Sequence, residues 1–220
     1  MRPFLLIVIA LSPFACHSKE HATAMESPSA VPSAAELANL AVPAVPLVSK
    51  WGIDPENSSV TFLCKHVFTN VRGMFPRPAG AVTLDETVPA NSKVHVTVDV
   101  KSITTGVEER DTHLKSPDFF DTAKYPEAIF ESTSVSKSSA TSYSVTGTLT
   151  MHGVTKPVTL AVAVSPPFTH AGGIRRGIAA TTSVNRKDFG ILWDFPGEAA
   201  GVVVADIIQI TIDAELVLQP

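Results

Sequence analysis

The chain has 220 residues, of which 45% are apolar and 17% are charged, and its formal net charge is −4. This length fits one or two globular domains, and a single domain of about 170 residues buries enough surface to fold without cross-links. Lys and Arg total 17 against 21 Asp and Glu, and no basic run occurs, which argues against a nucleic-acid-binding surface.

The N-terminal segment has the pattern of an export signal. Arg2 supplies a short positive region, and the stretch from Pro3 to Ala15 is almost entirely apolar. This stretch is shorter than the roughly 20 residues that a membrane-spanning helix needs, but it fits a secretory signal peptide. We therefore expect residues 1–16 to be a signal peptide and the mature protein to be exported to a bacterial periplasm.

Cys16 lies where the apolar signal changes to polar sequence. A cysteine at this point, preceded by the small Ala15, resembles the acylated cysteine of bacterial lipoproteins, although Pro13 and Phe14 depart from the usual motif. We expect Cys16 to carry a lipid that anchors the protein to a membrane. A cleaved signal with an incidental cysteine is the alternative. In either case Cys64 lacks a disulfide partner and is expected to be a small buried residue on a strand.

Residues 17–49 are rich in Ala, Ser and Pro and have no sustained hydrophobic period. A segment of this composition cannot bury enough surface to order itself and is typical of a linker. We expect this linker to hold one folded domain, residues 50–220, away from the membrane.

Alternation of apolar and polar residues predicts that the folded domain is all-β. The clearest alternating runs are at 94–100, 143–151, 158–164 and 208–218, and weaker runs lie near 60–67, 79–85, 127–134 and 174–184. Such alternation is typical of half-buried strands in an antiparallel sheet. A barrel of about eight strands is either filled by its own side chains or holds one ligand, and closure removes exposed strand edges. The sequence therefore predicts an eight-stranded antiparallel β-barrel.

The segment near 105–124 interrupts this pattern and predicts a short helical excursion. Thr105 and Glu108 have the spacing of a capping box at a helix N-terminus. Ser116–Pro117 is a second signal for the start of a helical turn, and Phe119–Phe120 follows directly. We expect this excursion to lie over one mouth of the barrel.

The motifs of common enzymes and metal sites are absent from the sequence. It contains no Gly-x-Ser-x-Gly elbow, no phosphate-binding glycine loop, and no Cys or His pair with zinc-site spacing. We therefore expect neither a catalytic site nor a metal site. The charged segment 108–113 leaves two interpretations open. In the first interpretation, the segment is a salt-bridged cap that fastens the helix to the barrel rim. In the second, one of the side chains Arg110 and His113 binds a ligand head group through a charge-assisted hydrogen bond.

The aromatic residues of the domain favour an apolar ligand when they are taken together. Each one alone is more typical of a core, but in an eight-stranded barrel the core and the ligand cavity share the same walls. The set is Phe62, Phe68, Phe75, Phe119, Phe120, Phe130, Trp193 and Phe195.

Several long motifs, in order along the chain, make the domain resemble the YceI-like family of polyisoprenoid-binding periplasmic proteins. The motifs are WGID (51–54), VTFLCKH (60–66), SITTGVEERDTHLKSPDFFDTAKYPEAIFEST (102–133), VTGTLTMHGVTKPVTL (145–160), NRKDFG (185–190) and the final strand from 206. The resemblance implies a lipocalin-like barrel over the whole domain. The stretch FPRP (75–78) departs from the family pattern and leaves the shape of the loop after the first strand open.

The resemblance also implies that the barrel encloses a tunnel for an isoprenoid chain, such as a quinone tail or a polyprenyl phosphate, with no catalytic cofactor. Burial of each CH₂ of such a chain gains about 0.8 kcal/mol, so polar contacts matter mainly for choosing the head group. Asp111, Asp118, Arg186 and Asp188 match the family motifs. The expected ligand contacts are Phe62, His66, Val96, Val98, Arg110, His113, Phe119, Phe120, Phe130, Val145, Leu149, Leu160 and Phe189.

The expected function is therefore the binding, and the transport or storage, of a polyisoprenoid lipid without catalysis. The alternative is a stress-response or partner-binding module whose barrel is filled by its own side chains. The expected partners are an isoprenoid lipid, a membrane reached through Cys16, and a second copy of the chain in a homodimer, but not nucleic acid. The head group, the tail length and the oligomeric state stay open.

Overall fold

The structure, a computed structural model, describes residues 43–66, 69–194 and 204–220. The predicted signal peptide, Cys16 and the predicted linker as far as residue 42 lie outside the described residues, as do Phe68 and Phe195. The described part forms ten strands, one α-helix and three short 3-10 helices. The strands are β1 (Val48–His66), β2 (Thr69–Pro76), β3 (Ala79–Asp85), β4 (Lys93–Asp99), β5 (Glu127–Lys137), β6 (Ser142–Met151), β7 (Val154–Val164), β8 (Phe168–His170), β9 (Gly173–Asn185) and β10 (Ile207–Leu218). The helix is α1 (Glu108–Lys115), and the 3-10 helices are Pro89–Asn91, Val100–Ser102 and Arg186–Phe189.

Eight of these strands close into an antiparallel barrel. The order around the ring is β1, β3, β4, β5, β6, β7, β9 and β10, and β10 pairs with both β9 and β1. Each of the eight alternating runs in the sequence corresponds to one of these strands, so the predicted eight-stranded barrel is confirmed.

The alternation did not predict β2 or β8. β2 pairs with the second half of β1, and β8 forms a short hairpin with β9. β1 also begins at Val48, inside the segment that the sequence assigned to the linker. The reason is local: Ser49 is buried, pairs with Leu84 of β3, and its hydroxyl accepts the indole N–H of Trp51 at 2.9 Å.

A bulge in β1 allows both halves of this long strand to point apolar residues inward. The pairing of β1 with β10 shifts register between Asp54 and Ser59. Before the shift Ile53 faces the barrel interior, and after it Val60 and Phe62 do. Because side chains alternate with a period of two, the shift exchanges odd for even inward positions. The continuous interior therefore depends on this bulge.

The helical excursion differs from its prediction at both ends. α1 begins at Glu108 with Val107 as its N-cap residue, and no side chain caps it. The capping-box prediction is wrong because Thr105 bonds elsewhere: its backbone N–H and its hydroxyl both donate to Oδ1 of Asp111, at 2.8 and 2.5 Å. The second predicted helical turn is also wrong. Residues 117–120 form turns and not a helix. The chain reverses here, and the N–H of Phe120 donates back to the carbonyl of Leu114 at 3.1 Å.

Asp85 organises the connection from β3 to β4. Its carboxylate accepts the Thr87 hydroxyl at 2.6 Å, the Val88 N–H at 2.8 Å and the Asn91 amide at 3.0 Å. These hydrogen bonds, that from the Thr87 hydroxyl foremost, lower the pKa of Asp85 from 3.8 to about 2. The carboxylate is therefore held ionised by the turn that it forms.

This geometry predicts an acid-dependent contribution to stability. The folded pKa lies below the ordinary value, so the contribution is present above about pH 4 and is lost as the pH falls through about 2. We expect Asp85→Asn to lower the free energy of unfolding at neutral pH and to flatten its fall between about pH 4 and 2. Denaturant titrations at several pH values measure this, with Asp213→Asn, on an exposed position of β10, as the control. An unchanged slope in Asp85→Asn would contradict the assignment.

Candidate ligand-binding site

The barrel interior contains two apolar cavities, which lie along its length. The outer cavity, beneath α1, has a volume of about 240 Å³, and the inner cavity, deeper in the barrel, has a volume of about 100 Å³. The outer cavity is lined by Val60, Phe62, Cys64, Val71, Phe75, Arg110, His113, Leu114, Phe119, Phe120, Met151, Val184, Arg186, Ile191, Trp193, Val204, Ile208 and Ile210. The inner cavity is lined by Ile53, Pro78, Val82, Leu84, Ser92, Val94, Val96, Val135, Tyr143, Val145, Leu160, Val162, Val164, Ile178, Ala180, Ile212, Ala214 and Leu216.

The cavities gather most of the residues that the sequence proposed as ligand contacts. Those on the outer cavity are Phe62, Arg110, His113, Phe119 and Phe120. Those on the inner cavity are Val96, Val145 and Leu160. The structure does not describe the side chain of His66, which ends β1.

Four proposed contacts line neither cavity: Val98, Phe130, Leu149 and Phe189. Phe130 is a buried core residue, Leu149 packs against the same core, and Val98 is partly buried on β4. Phe189 is buried in the last 3-10 helix, where its carbonyl accepts a hydrogen bond from Nδ1 of His152 at 3.0 Å. Phe130, Leu149 and Phe189 therefore belong to the packed core and not to a cavity wall.

Other cavity residues were absent from the proposed contacts. Ile208, Ile210 and Met151 belong to alternating runs, so their inward direction was readable from the sequence. Trp193 stood in the aromatic set without an assigned contact. Ile191 lies in irregular chain outside the strands, where no periodic signal could have identified it.

Aromatic rings form the roof of the outer cavity. His113 makes edge-to-face contacts with Phe119 and Trp193, with ring centroids 5.0 and 5.2 Å apart, and Phe119 lies 5.0 Å from Trp193. On the other side, Phe120 meets Phe75 edge-to-face at 5.9 Å. Such pairs add stability beyond their buried area. These ring contacts therefore hold α1 and the turns that follow it against β2 and against the segment that carries Trp193.

The FPRP stretch, whose shape the sequence left open, connects β2 to β3. Arg77 takes a left-handed backbone conformation with φ of 59°. On either side of this bend, Phe75 lines the outer cavity and Pro78 lines the inner one. The departure from the family pattern thus falls at a place where the chain contributes to both cavities.

Two polar side chains, Arg110 and His113, lie at the mouth of the outer cavity. Nε and Nη2 of Arg110 donate to the hydroxyl and carbonyl of Thr105, at 2.8 and 3.2 Å. Nε2 of His113 bonds to Asp118 at 2.9 Å. The helix is thus fastened to its neighbouring loop by hydrogen bonds of Thr105 with Arg110 and Asp111. Burial raises the pKa of Asp111, but the bonds from Thr105 outweigh it, so that the net pKa lies below the ordinary value.

Arg186 holds the two chain segments that flank the outer cavity. Its side chain is 5% exposed, and it donates to the carbonyls of Ile191 and Trp193 at 2.9 and 2.7 Å. It also donates to Asp194 at 2.6 Å and to the carbonyl of Ala205 at 3.2 Å. Hydrogen bonding to Arg186 lowers the pKa of Asp194. A buried guanidinium with this many acceptors is satisfied, and it fixes Trp193 over the cavity.

The other groups near the cavities give no sign of metal or thiol chemistry. Cys64 is buried on β1, and burial raises the pKa of its thiol, so it stays protonated and is a poor nucleophile. Among the described residues, no three His, Cys, Asp or Glu side chains are grouped as a metal site would require. Within the same part of the chain, no helix has the length and apolar character needed to cross a membrane.

Known proteins are similar to this chain in sequence and in fold. The model of the YceI-like domain matches residues 51–216. Protein YceI of Escherichia coli O157:H7 is 42% identical over 152 residues, which cover 67% of this chain and 79% of that protein. The crystal structure of BcnA from Burkholderia cenocepacia has a TM-score of 0.65 at 25% identity and covers 74% of this chain and 98% of its own. A polyisoprenoid-binding domain from Saccharophagus degradans, implicated in plant cell wall breakdown, shares the fold with a TM-score of 0.56 at 16% identity, over 77% of this chain and 98% of that one.

The contacts of Arg186 predict a large effect when its charge is removed. We expect Arg186→Met to lower the free energy of unfolding by about 2–3 kcal/mol, because the carbonyls of Ile191, Trp193 and Ala205 lose their hydrogen-bond donor. The matched control is Lys187→Met, since Lys187 reaches Asp194 and Asp206 from a half-exposed position. Urea titration of both variants measures the difference, and equal losses in the two would refute the special role of Arg186.

Proposed function

The chain belongs to the YceI-like domain family, and on this premise we propose that its barrel binds a polyisoprenoid lipid, with the tail in the apolar cavities and the head group at the mouth. The observation that carries the proposal is the outer cavity, which is apolar along its walls and has Arg110 and His113 at its mouth. The name of the Saccharophagus degradans domain, which shares the fold, supports the ligand class.

The chemistry of the walls favours a branched hydrocarbon over a polar ligand. Ser92 and Tyr143 bear the polar side-chain atoms of the inner cavity, and all its other lining side chains are aliphatic. Each CH₂ moved from water into such a site gains about 0.8 kcal/mol. A long isoprenoid tail therefore supplies most of the affinity, and the polar groups at the mouth select the head group.

The head group is proposed to accept hydrogen bonds from Arg110 and His113. The contacts of Arg110 with Thr105 use Nε and Nη2, and Nη1, which makes no hydrogen bond to another described residue, can donate to an acceptor at the mouth. A quinone carbonyl and a polyprenyl phosphate both offer acceptor oxygens to a guanidinium. The two head groups share this chemistry, and a phosphate gains more because it is charged.

The cavities also favour a binding function over the alternative of a barrel filled by its own side chains. Catalysis is not part of the proposal, since the thiol on the cavity wall is kept protonated by burial and, among the described residues, the imidazole of His113 hydrogen-bonds to the carboxylate of Asp118 and to no hydroxyl or thiol. Transport or storage of the lipid between membranes fits a barrel without catalytic groups. The homodimer stays a prediction.

Filling the outer cavity should strongly reduce lipid uptake. We expect Ile210→Trp to lower the amount of prenylquinone retained per mole of protein at least about fivefold, because the indole occupies the space of several CH₂ groups. The measurement is quinone absorbance after incubation with quinone-loaded vesicles and re-isolation. The matched control is Gln209→Trp, which adds the same ring to the exposed face of the same strand and should retain quinone like the natural protein.

Circular dichroism and urea titration establish that both variants are folded. Equal retention by the two folded variants would sink the proposal that the lipid lies inside the barrel. Absence of retention by the natural protein would instead favour a function through a protein partner.

We propose further that the protein is exported and anchored by an acylated Cys16, which lies outside the described residues. We expect Cys16→Ser to move the protein from the membrane fraction to the soluble periplasmic fraction of a bacterial host, because the lipid anchor is lost. Immunoblots of the fractions and the intact mass of the purified protein measure this. A natural protein that is already soluble and lacks an acyl mass would refute the anchor and favour an ordinary cleaved signal.

A further inference from the structure

We propose that Phe130 sets the tail-length specificity of the barrel, because its ring divides the outer cavity from the inner cavity and a long isoprenoid tail reaches the inner cavity only when that ring moves. This inference rests on the proposed function. It adds to it a defined second compartment, for the distal isoprene units, and a residue that controls entry to this compartment.

The division is clearest along β6. Met151 lines the outer cavity, while Val145 and Tyr143 line the inner one. Gly147 and Leu149 lie between them on the same face of the strand and line neither cavity. Packed side chains therefore fill the interval that separates the two cavities on this side of the barrel.

The ring of Phe130 occupies that interval. Phe130 pairs with Leu149 across β5 and β6, and it is 7% exposed. Its Cζ lies 2.6 Å from the position that a Cβ on Gly147 would take, so the ring lies directly over this glycine. Any larger residue at 147 would collide with the ring. The absence of a side chain at Gly147 thus leaves the space in which the ring packs against the inner face of β6.

The opposite wall leaves no comparable interval. On β10, Ile210 lines the outer cavity and Ile212, the next inward residue, lines the inner one. These positions are separated by about 7 Å of strand. The two cavities nearly meet along β10 but are held apart along β5 and β6, where the ring of Phe130 fills the interval. We therefore assign the partition between the cavities to this ring.

A tail that enters past Arg110 and His113 meets this partition after it has filled the outer cavity. A short tail ends before the ring, so its affinity does not depend on the ring. A longer tail gains the apolar walls of the inner cavity only by displacing the ring, which loses its packing on Gly147. The affinity of the natural protein should therefore rise with tail length, and the gain per isoprene unit should become smaller once the tail reaches Phe130, because part of it is offset by displacement of the ring.

The test compares two prenylquinones that share a head group and have tails of about two and about eight isoprene units. We expect Phe130→Leu to tighten binding of the long-tailed quinone by about tenfold or more, because burial of even two additional CH₂ groups exceeds that factor. Binding of the short-tailed quinone should not change. The matched control is Phe189→Leu, the same substitution at a buried phenylalanine that lines neither cavity, and it should leave the dependence on tail length unchanged.

A second variant tests the inner compartment without altering Phe130. Leu160→Trp fills the inner cavity, and it should weaken binding of the long-tailed quinone by about tenfold while sparing the short-tailed one. This measurement tests whether a long tail enters the inner cavity even if the Phe130→Leu variant does not fold.

The outcomes separate the two proposals. If the natural protein binds both quinones but Phe130→Leu and Leu160→Trp change them equally or not at all, Phe130 is no partition and the lipid-binding function stands. If the natural protein binds neither quinone, the proposed function itself fails, and the inference about Phe130 fails with it.

Discussion

The pairing of β10 with both β9 and β1 closes the sheet, and the character of the interior follows from that closure. In a closed ring every second residue of each strand points inward, and each strand of the ring has a neighbour on both sides. Among the described strands, β2 and β8 lie off the ring and pair with β1 and β9, respectively. Alternating apolar residues on eight strands then enclose a hydrocarbon interior. The bulge between Asp54 and Ser59 keeps apolar residues inside the barrel along the whole of β1. Without the bulge, strict alternation from Ile53 would turn Val60 and Phe62 outward.

The two ends of the barrel are built differently, which gives ligand binding a direction. Beyond the inner cavity, Trp51 is fully buried, and the guanidinium of Arg176 lies over its ring at 5.3 Å and pairs with Glu86. The other end carries α1 and the segment around Trp193 that Arg186 holds in place. There the donors Arg110 and His113 meet an apolar chamber. A lipid that binds with its tail inward places its head group at this end, where charge can be satisfied.

The sequence predicted the barrel and much of its wall, because alternation depends only on neighbours in the chain. Val96, Val145 and Leu160 lie on a cavity as their alternation indicated. What it could not predict depends on distant pairing. The position of Phe130 over Gly147 requires the register of β5 on β6, which includes a shift between Ser132 and Ser134. Thr105 had the spacing of a helix cap, but Asp111 offers it a better acceptor. Trp193 lies outside any strand, and contacts with Arg186 rather than a local pattern set its place.

The most direct test of the account is native mass spectrometry of the Cys16→Ser protein, which lacks the proposed anchor and is purified from a bacterial periplasm without detergent. The account predicts one additional mass per chain, which organic extraction identifies as a quinone or polyprenyl lipid and which Ile210→Trp removes. A bare polypeptide mass that does not change after incubation with those lipids would contradict the central claim that the barrel is a container for an isoprenoid tail.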